Sequence, residues 1–233
     1  MYKGCTIKPP FFEIGPKAYL YGEEVLALAK AADELSIEFD VDIIFTPQPC
    51  DIRMIAQNTK RLHVFAQHMD SLKPGRGLGS ILPEAVKAAG ADGVMLNHAE
   101  KKLTLEVIKA TIERADEVGL ATIVCSDTVE ELRAICEMHP NMIVAEPTAL
   151  IGTGQASDMG YVKATLAAAA EIDPEVMVLQ GAGISNGQDV YNVIAAGAVA
   201  TGSTSGIIRA EDPVAAAREM IAALRKAWDE HHC

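Results

Sequence analysis

A lysine, a histidine and two glutamates stand where short apolar runs give way to polar chain: Lys8, His98, Glu100 and Glu146. Their types and places at strand ends propose a base in Glu146, an electrophile in His98 and a cation in Lys8. Two glycine- and serine-bearing turns follow, Gly181-Ala182-Gly183-Ile184-Ser185 and Gly202-Ser203-Thr204-Ser205-Gly206. Glycine lets backbone N–H groups approach an anion closely, and a helix N-terminus adds its positive dipole end. The set points to a small phosphorylated substrate. Each residue taken alone has a plainer reading: Lys8 as surface charge, His98 as a core histidine, Glu146 before Pro147 as a turn carboxylate. Their conjunction carries the inference.

Glu146 is followed by Pro147-Thr148-Ala149-Leu150-Ile151-Gly152-Thr153-Gly154. A rigid start, an apolar middle and a glycine-bearing end compose either a closing lid or an ordinary loop packed by Leu150 and Ile151.

The elements that must position these residues alternate along the chain. Apolar runs predict strands at Asp42–Thr46, Leu62–Ala66, Gly93–Asn97, Ala121–Cys125, Met142–Glu146 and Val176–Gln180. Two weaker runs, Gly4–Lys8 and Val199–Ser203, would be the first and last strands. Runs apolar at every position suit strands buried on both faces of a parallel sheet. Between them, steps of three and four place apolar stripes on helices over 23–39 and 103–118. Thr128 with Glu131 reads as a capping box, and Asp212-Pro213 as the start of the last helix. Eight such units in 233 residues predict an α/β chain of one domain, residues 1–233, folded as a (β/α)8 barrel. An open doubly wound sheet is the competing layout. In a barrel the chemistry sits at the C-terminal strand ends, where the singled-out residues fall.

Composition narrows the partners. The formal net charge is −12, which repels phosphate backbones and argues against nucleic-acid binding. No run of 18 apolar residues predicts a membrane span. The five cysteines are scattered without a Cys-x-x-Cys pair, as expected of reduced thiols in a cytoplasmic protein. His231-His232-Cys233 at the terminus reads as a frayed tail before it reads as a metal site.

Several stretches resemble the triosephosphate isomerase family, most closely its short archaeal type. They are Ala66–Gly75, Ile81–Ala85, Leu96-Asn97-His98-Ala99-Glu100-Lys101, Ile123-Val124-Cys125, Glu146-Pro147 with Leu150–Gly154, and Gly181–Ser185. The resemblance implies a TIM barrel and an aldose–ketose isomerase acting through an enediol(ate), without metal or organic cofactor. It implies His98 as electrophile, Glu146 as base, Lys8 as substrate-binding lysine and Glu100 as the carboxylate that pairs with the lysine. It further implies Ile151 and Gly152 at the lid end, and Gly183, Thr204 and Ser205 as phosphate donors. Cys125 would be a structural cysteine near the base. Gln67 and the loop to Gly79 would form the contact of a homodimer or homotetramer.

The departures bear on substrate. The family usually carries Asn-x-Lys at the end of its first strand, where Thr6-Ile7-Lys8 puts the shorter hydroxyl of Thr6 on the floor of the site. Ala99 replaces a serine after the histidine, and Thr204 stands where a small residue is usual. The segment Pro9–Gly22 reads as a long loop rich in Phe and Tyr, serving as a cap, a subunit contact or a remodelled wall. The first expected reaction interconverts glyceraldehyde 3-phosphate and dihydroxyacetone phosphate, as in glycolysis and gluconeogenesis. The alternative is a paralogue acting on a tetrulose phosphate such as an erythrulose phosphate. A sugar-phosphate binder without turnover is a third reading, disfavoured because a binder needs no base.

Overall fold

The computed structural model describes residues 1–155 and 157–232. Eight strands run β1 (Phe11–Ile14), β2 (Asp42–Phe45), β3 (His63–Ala66), β4 (Gly93–Leu96), β5 (Ala121–Ser126), β6 (Met142–Ala145), β7 (Met177–Gln180) and β8 (Ala200–Ser203). Every pairing is parallel, and β8 closes on β1, so the sheet is a barrel rather than the open alternative. The helices are α1 (Gly22–Phe39), α2 (Ile52–Asn58), α3 (Pro83–Ala88), α4 (Leu105–Val118), α5 (Val129–Cys136), α6 (Met159–Ile172), α7 (Gly187–Ala195), α8 (Ser205–Ile208) and α9 (Pro213–His231).

The strands are apolar on both sides because both sides are buried. Phe11, Ile44, Phe65, Ile123, Met142 and Leu179 form a cluster inside the barrel. Their chain neighbours Phe12, Ile43, Val64, Val124, Ile143 and Val178 face outward, under the helices. Caps end the helices where the residue types allow. Asp212 accepts from Val214 N and Ala215 N at the start of α9, and Gly119 takes the left-handed conformation (φ 76°) after α4. Thr128 Oγ1 accepts from Glu131 N, as expected. The return half of the capping box is displaced by one residue: Glu131 Oε2 accepts from Asp127 N at 2.7 Å, and Oε1 from the Asn97 amide at 3.0 Å.

The first strand is not Gly4–Lys8. In that segment only Ile7 is buried, joining the interior cluster, while Thr6 and Lys8 are exposed. The Lys8 backbone N–H donates to Asp42 at the start of β2, which places Lys8 at the N-terminal end of the barrel, away from the strand ends that carry chemistry. The strand is instead the aromatic run expected to be loop. Phe11 and Phe12 are both fully buried, one on each face, and a closed barrel demands that of every strand. Pro9 and Pro10 precede it, where no ladder donor is needed. Met1–Lys8 instead folds across the barrel bottom, with the Met1 ammonium 2.9 Å from Asp116 and Tyr2 O accepting from the Asn141 amide.

Phe11→Ala empties a fully buried position inside the barrel. It should cost about 3–5 kcal/mol, measured as a lowered urea midpoint, whereas Lys8→Ala should leave the midpoint within about 0.5 kcal/mol of wild type.

Candidate active site

The C-terminal strand ends enclose a cavity of about 570 Å³, the size of a small-ligand pocket. His98, Glu100, Glu146, Ile151, Gly152, Gly183, Thr204 and Ser205 all line it, as the strand-end reading expects. Thr6 and Lys8 do not line it, since they precede β1 at the opposite end. Two lysines line it instead: Lys101, after β4, and Lys17, the one that pairs with Glu100.

Lys17 follows β1 by three residues and is held by its neighbours. Its ammonium lies 3.0 Å from Glu100 Oε1. Its backbone has φ 48°, in the left-handed region that costs a side-chain-bearing residue free energy. Two amides hold that conformation: Gln48 Nε2 and Gln67 Nε2 both donate to the Lys17 carbonyl, at 3.0 and 2.8 Å. Gln67 also donates to Thr46 O, tying Lys17 to the end of β2. Burial works to raise the Glu100 pKa, but the hydrogen bond and charge of Lys17 prevail and hold it below its ordinary value.

His98 follows β4 on a loop organised by Asn97. Asn97 is buried at φ 59°, a conformation asparagine tolerates. Its amide donates to Cys125 O and Glu131 Oε1, and its Oδ1 accepts from Leu103 N. His98 Nδ1 accepts from the Glu100 backbone N–H at 3.1 Å, so Nδ1 carries no proton. Burial first, then the charge of Lys17, lowers the His98 pKa. The ring is therefore a neutral imidazole with its proton on Nε2, which lies 3.6 Å from Glu146 Oε2.

Glu146 continues β6, its N–H donating to Ser126 O. Gly181 leaves room for it: a Cβ there would come within 3.1 Å of Glu146 Cβ. Burial raises the Glu146 pKa, with Lys17 opposing. A neutral hydrogen-bond donor thus faces a raised carboxylate across a gap too long for a direct hydrogen bond. Cys125 lies inside the barrel below them, its thiol pushed well up by burial.

The glycine turns meet on one side of the mouth. Ala182 and Gly183 have φ 64° and 70°, and Ser203 Oγ donates to Ile184 O, joining the turns after β7 and β8. The segment after Glu146 forms a short 3₁₀ turn, Thr148–Leu150, tethered by Thr148 N to Asp127. Gly152 and Gly154 follow at φ 72° and 73°. The terminal histidines are far from this mouth in role: His231 meets Tyr191 and His232 stacks on Trp228, while Cys233 lies outside the described residues.

The triosephosphate isomerase family model matches residues 14–199, a span holding Lys17, His98 and Glu146 and excluding Lys8. The chain belongs to the triosephosphate isomerase family. It is 39% identical to the triosephosphate isomerase of Methanocaldococcus jannaschii over 203 residues, 86% of this chain and 92% of that one. It is 39% identical to that of Methanobacterium bryantii over 217 residues (91% and 96%), and 35% identical to that of Sulfurisphaera tokodaii over 227 (96% and 99%). Membership makes the protein an enzyme, an isomerase of the intramolecular oxidoreductase kind. The triplet that brings its lysine to the mouth is Gly15-Pro16-Lys17 rather than Thr6-Ile7-Lys8, with glycine two residues before the lysine.

Sequence reasoning also passed over Glu13. It is 9% exposed, lines the cavity, and accepts from Thr46 Oγ1 at 2.6 Å. Burial pushes its pKa from 4.5 to about 7, against the Thr46 hydrogen bond and with help from the charge of Glu146. For Glu13 the signal was strand alternation, which puts it on the same inner face as Phe11.

Lys17→Met should lower kcat/KM by about 100-fold or more, and Lys8→Met should change it less than about twofold, in a steady-state assay. Glu13 binds its proton more tightly folded than unfolded, so its contribution to stability is full below pH 4.5 and is lost as pH rises through about 7. Glu13→Gln removes that loss. Relative to wild type it should gain on the order of 3 kcal/mol between pH 4 and pH 8 in urea unfolding.

Proposed function

We propose that the protein interconverts an aldose phosphate and a ketose phosphate by proton transfer between adjacent carbons through an enediol(ate). The first substrate pair is glyceraldehyde 3-phosphate and dihydroxyacetone phosphate, placing the enzyme in glycolysis and gluconeogenesis. Glu146 is the base, neutral His98 the electrophile that polarises the carbonyl through Nε2–H, and Lys17 the cation beside the developing charge. Glu100 positions Lys17. Gly152, Gly183, Thr204 and Ser205 supply the phosphate cradle, and Ile151 with Gly152 forms the lid end that closes over it. No metal or organic cofactor takes part. The observation that carries this reading is the pairing of a proton-bearing His98 Nε2 with the Glu146 carboxylate 3.6 Å away, beside Lys17.

A second reading is a paralogue that isomerises a tetrulose phosphate. The glycine at position 15 and the Glu13 carboxyl group in the floor favour it, because both change the surface that meets the reacting carbons.

The whole chain, residues 1–233, acts as one barrel domain in a cytoplasmic homodimer or homotetramer. Cys5, Cys50, Cys125 and Cys136 are free thiols, which suits a reducing compartment. The loop after β3 supports subunit contact: its Leu78 is fully exposed, and Arg114 steadies its base through the Leu72 carbonyl. No described helix is long and apolar enough to cross a membrane.

The test is exchange of carbon-bound hydrogen of the sugar phosphate with deuterated water, followed by NMR. Wild type should exchange, and Glu146→Gln should exchange about 10³-fold more slowly. Loss of less than tenfold would show that Glu146 is not the base. Because the raised Glu146 must be ionised to act, kcat/KM should fall with decreasing pH at a midpoint above the ordinary 4.5. No limb should arise from His98 near its ordinary 6.5, since the ring is already neutral there.

A further inference from the structure

The floor of the cavity contains an acidic recess that the reaction above does not use. Glu13 sits on the inner face of β1, one step below Gly15 and two below Lys17. Its Oε1 accepts the Thr46 hydroxyl proton. Among the described residues, its Oε2 has no hydrogen-bond partner, although Glu13 lines the cavity.

Two glycines make the recess possible. A Cβ on Gly15 would lie 2.9 Å from Glu13 Oε1, 3.1 Å from Thr204 Oγ1 and 3.3 Å from Thr46 Oγ1. A Cβ on Gly202, across the β1–β8 ladder, would lie 2.7 Å from the Glu13 carbonyl oxygen, 2.8 Å from Glu13 Cβ and 3.1 Å from its Oε2. The β1 backbone closes Gly202 to any side chain, and at Gly15 a side chain would crowd the Glu13 carboxyl group and two hydroxyl groups.

Glu13 Oε2 opens onto the cavity, so its hydrogen bonding is completed by whatever occupies the cavity. The ligand of this cavity is the group that reaches it, and a carboxyl oxygen pairs with a hydroxyl. A triose phosphate has only its two exchanging oxygens and its phosphate to offer. Those are already matched by His98, Lys17 and the glycine turns. A four-carbon ketose phosphate carries one hydroxyl more. We propose that Glu13 is a specificity-determining residue, whose Oε2 holds the additional hydroxyl of a tetrulose phosphate in the recess made by Gly15, Thr46 and Gly202. The assignment rests on the isomerase reading above and decides between its two substrates.

The experiment compares kcat/KM for glyceraldehyde 3-phosphate with kcat/KM for the four erythrulose monophosphates, the 1- and 4-phosphates of the D and L sugars. Wild type, Glu13→Gln and Glu13→Met are assayed, each first shown to be folded by circular dichroism and thermal melting. Wild type should prefer a tetrulose phosphate. The tetrulose-to-triose ratio should fall about tenfold in Glu13→Gln, which keeps the shape but loses the carboxyl group. It should fall about 100-fold in Glu13→Met, which keeps only the bulk. Equal losses on both sugars, or an unchanged ratio, would overturn the role given to Glu13 while leaving the isomerase reading standing. Wild type that turns over neither sugar, and exchanges no deuterium into either, would overturn both. Should Glu13→Met not fold, Glu13→Gln alone decides by the same ratio.

Discussion

Closure of β8 onto β1 is the constraint on which the site depends. The ladder pairs Phe11 with Ala200, Glu13 with Gly202 and Ile14 with Ser203. Side chains alternate across a strand, so this register sends Phe11 and Glu13 inward and delivers the chain to the mouth, where Gln48 and Gln67 hold Lys17. A slip of one residue would bury Phe12 and Ile14 in the barrel and turn Glu13 toward the helices. Phe11 and Phe12, fully buried on opposite faces, make the register costly to change. The same closure brings Gly202 against Glu13, where no larger residue fits.

From that frame the electrostatics follow. Lys17, Glu100, His98 and Glu146 share one partly desolvated mouth. Burial first, then Lys17, keeps His98 neutral; Lys17 holds Glu100 below its ordinary value; and burial lifts Glu146 against the pull of Lys17. The backbone contributes as much as the side chains. The Glu100 N–H decides which nitrogen of His98 bears the proton. The amides of Gln48 and Gln67 hold Lys17 in a conformation it would otherwise leave. Residues that never face the mouth matter for the same reason, as Asn97 and Glu131 show by anchoring the loop that carries His98.

Glu13 sets this barrel floor apart from one lined by an amide. A second carboxyl group close enough for Glu146 to act on it is retained at a cost in stability. Gly15 leaves room for its Oε1, and the Thr46 hydroxyl donates to that oxygen. Its place in the cavity lining argues for a role at the floor of the pocket rather than for an incidental polar residue in a core.

His98, Glu146, Glu100, Gly152 and Gly183 were legible in the sequence because each sits within a local pattern. An apolar run ends, a polar or glycine residue follows, and the run itself predicts a strand buried on both sides. Seven of the eight strands were placed by that rule, within a residue or two of their observed bounds. The first strand was not, and with it went Lys8 and Thr6. Gly4–Lys8 and Phe11–Ile14 are both short and plausible in isolation, and an aromatic run after two prolines resembles a loop. Only the closed barrel decides between them, because the last gap in the ring must be filled by residues that bury both faces, and Gly4–Lys8 buries only Ile7. The sequence thus determined the fold class, and which side chains stand at four strand ends, through local periodicity. Which lysine enters the mouth, which nitrogen of His98 carries its proton and where Glu13 lies depend on contacts between residues distant in the chain, and those the tertiary structure alone decided.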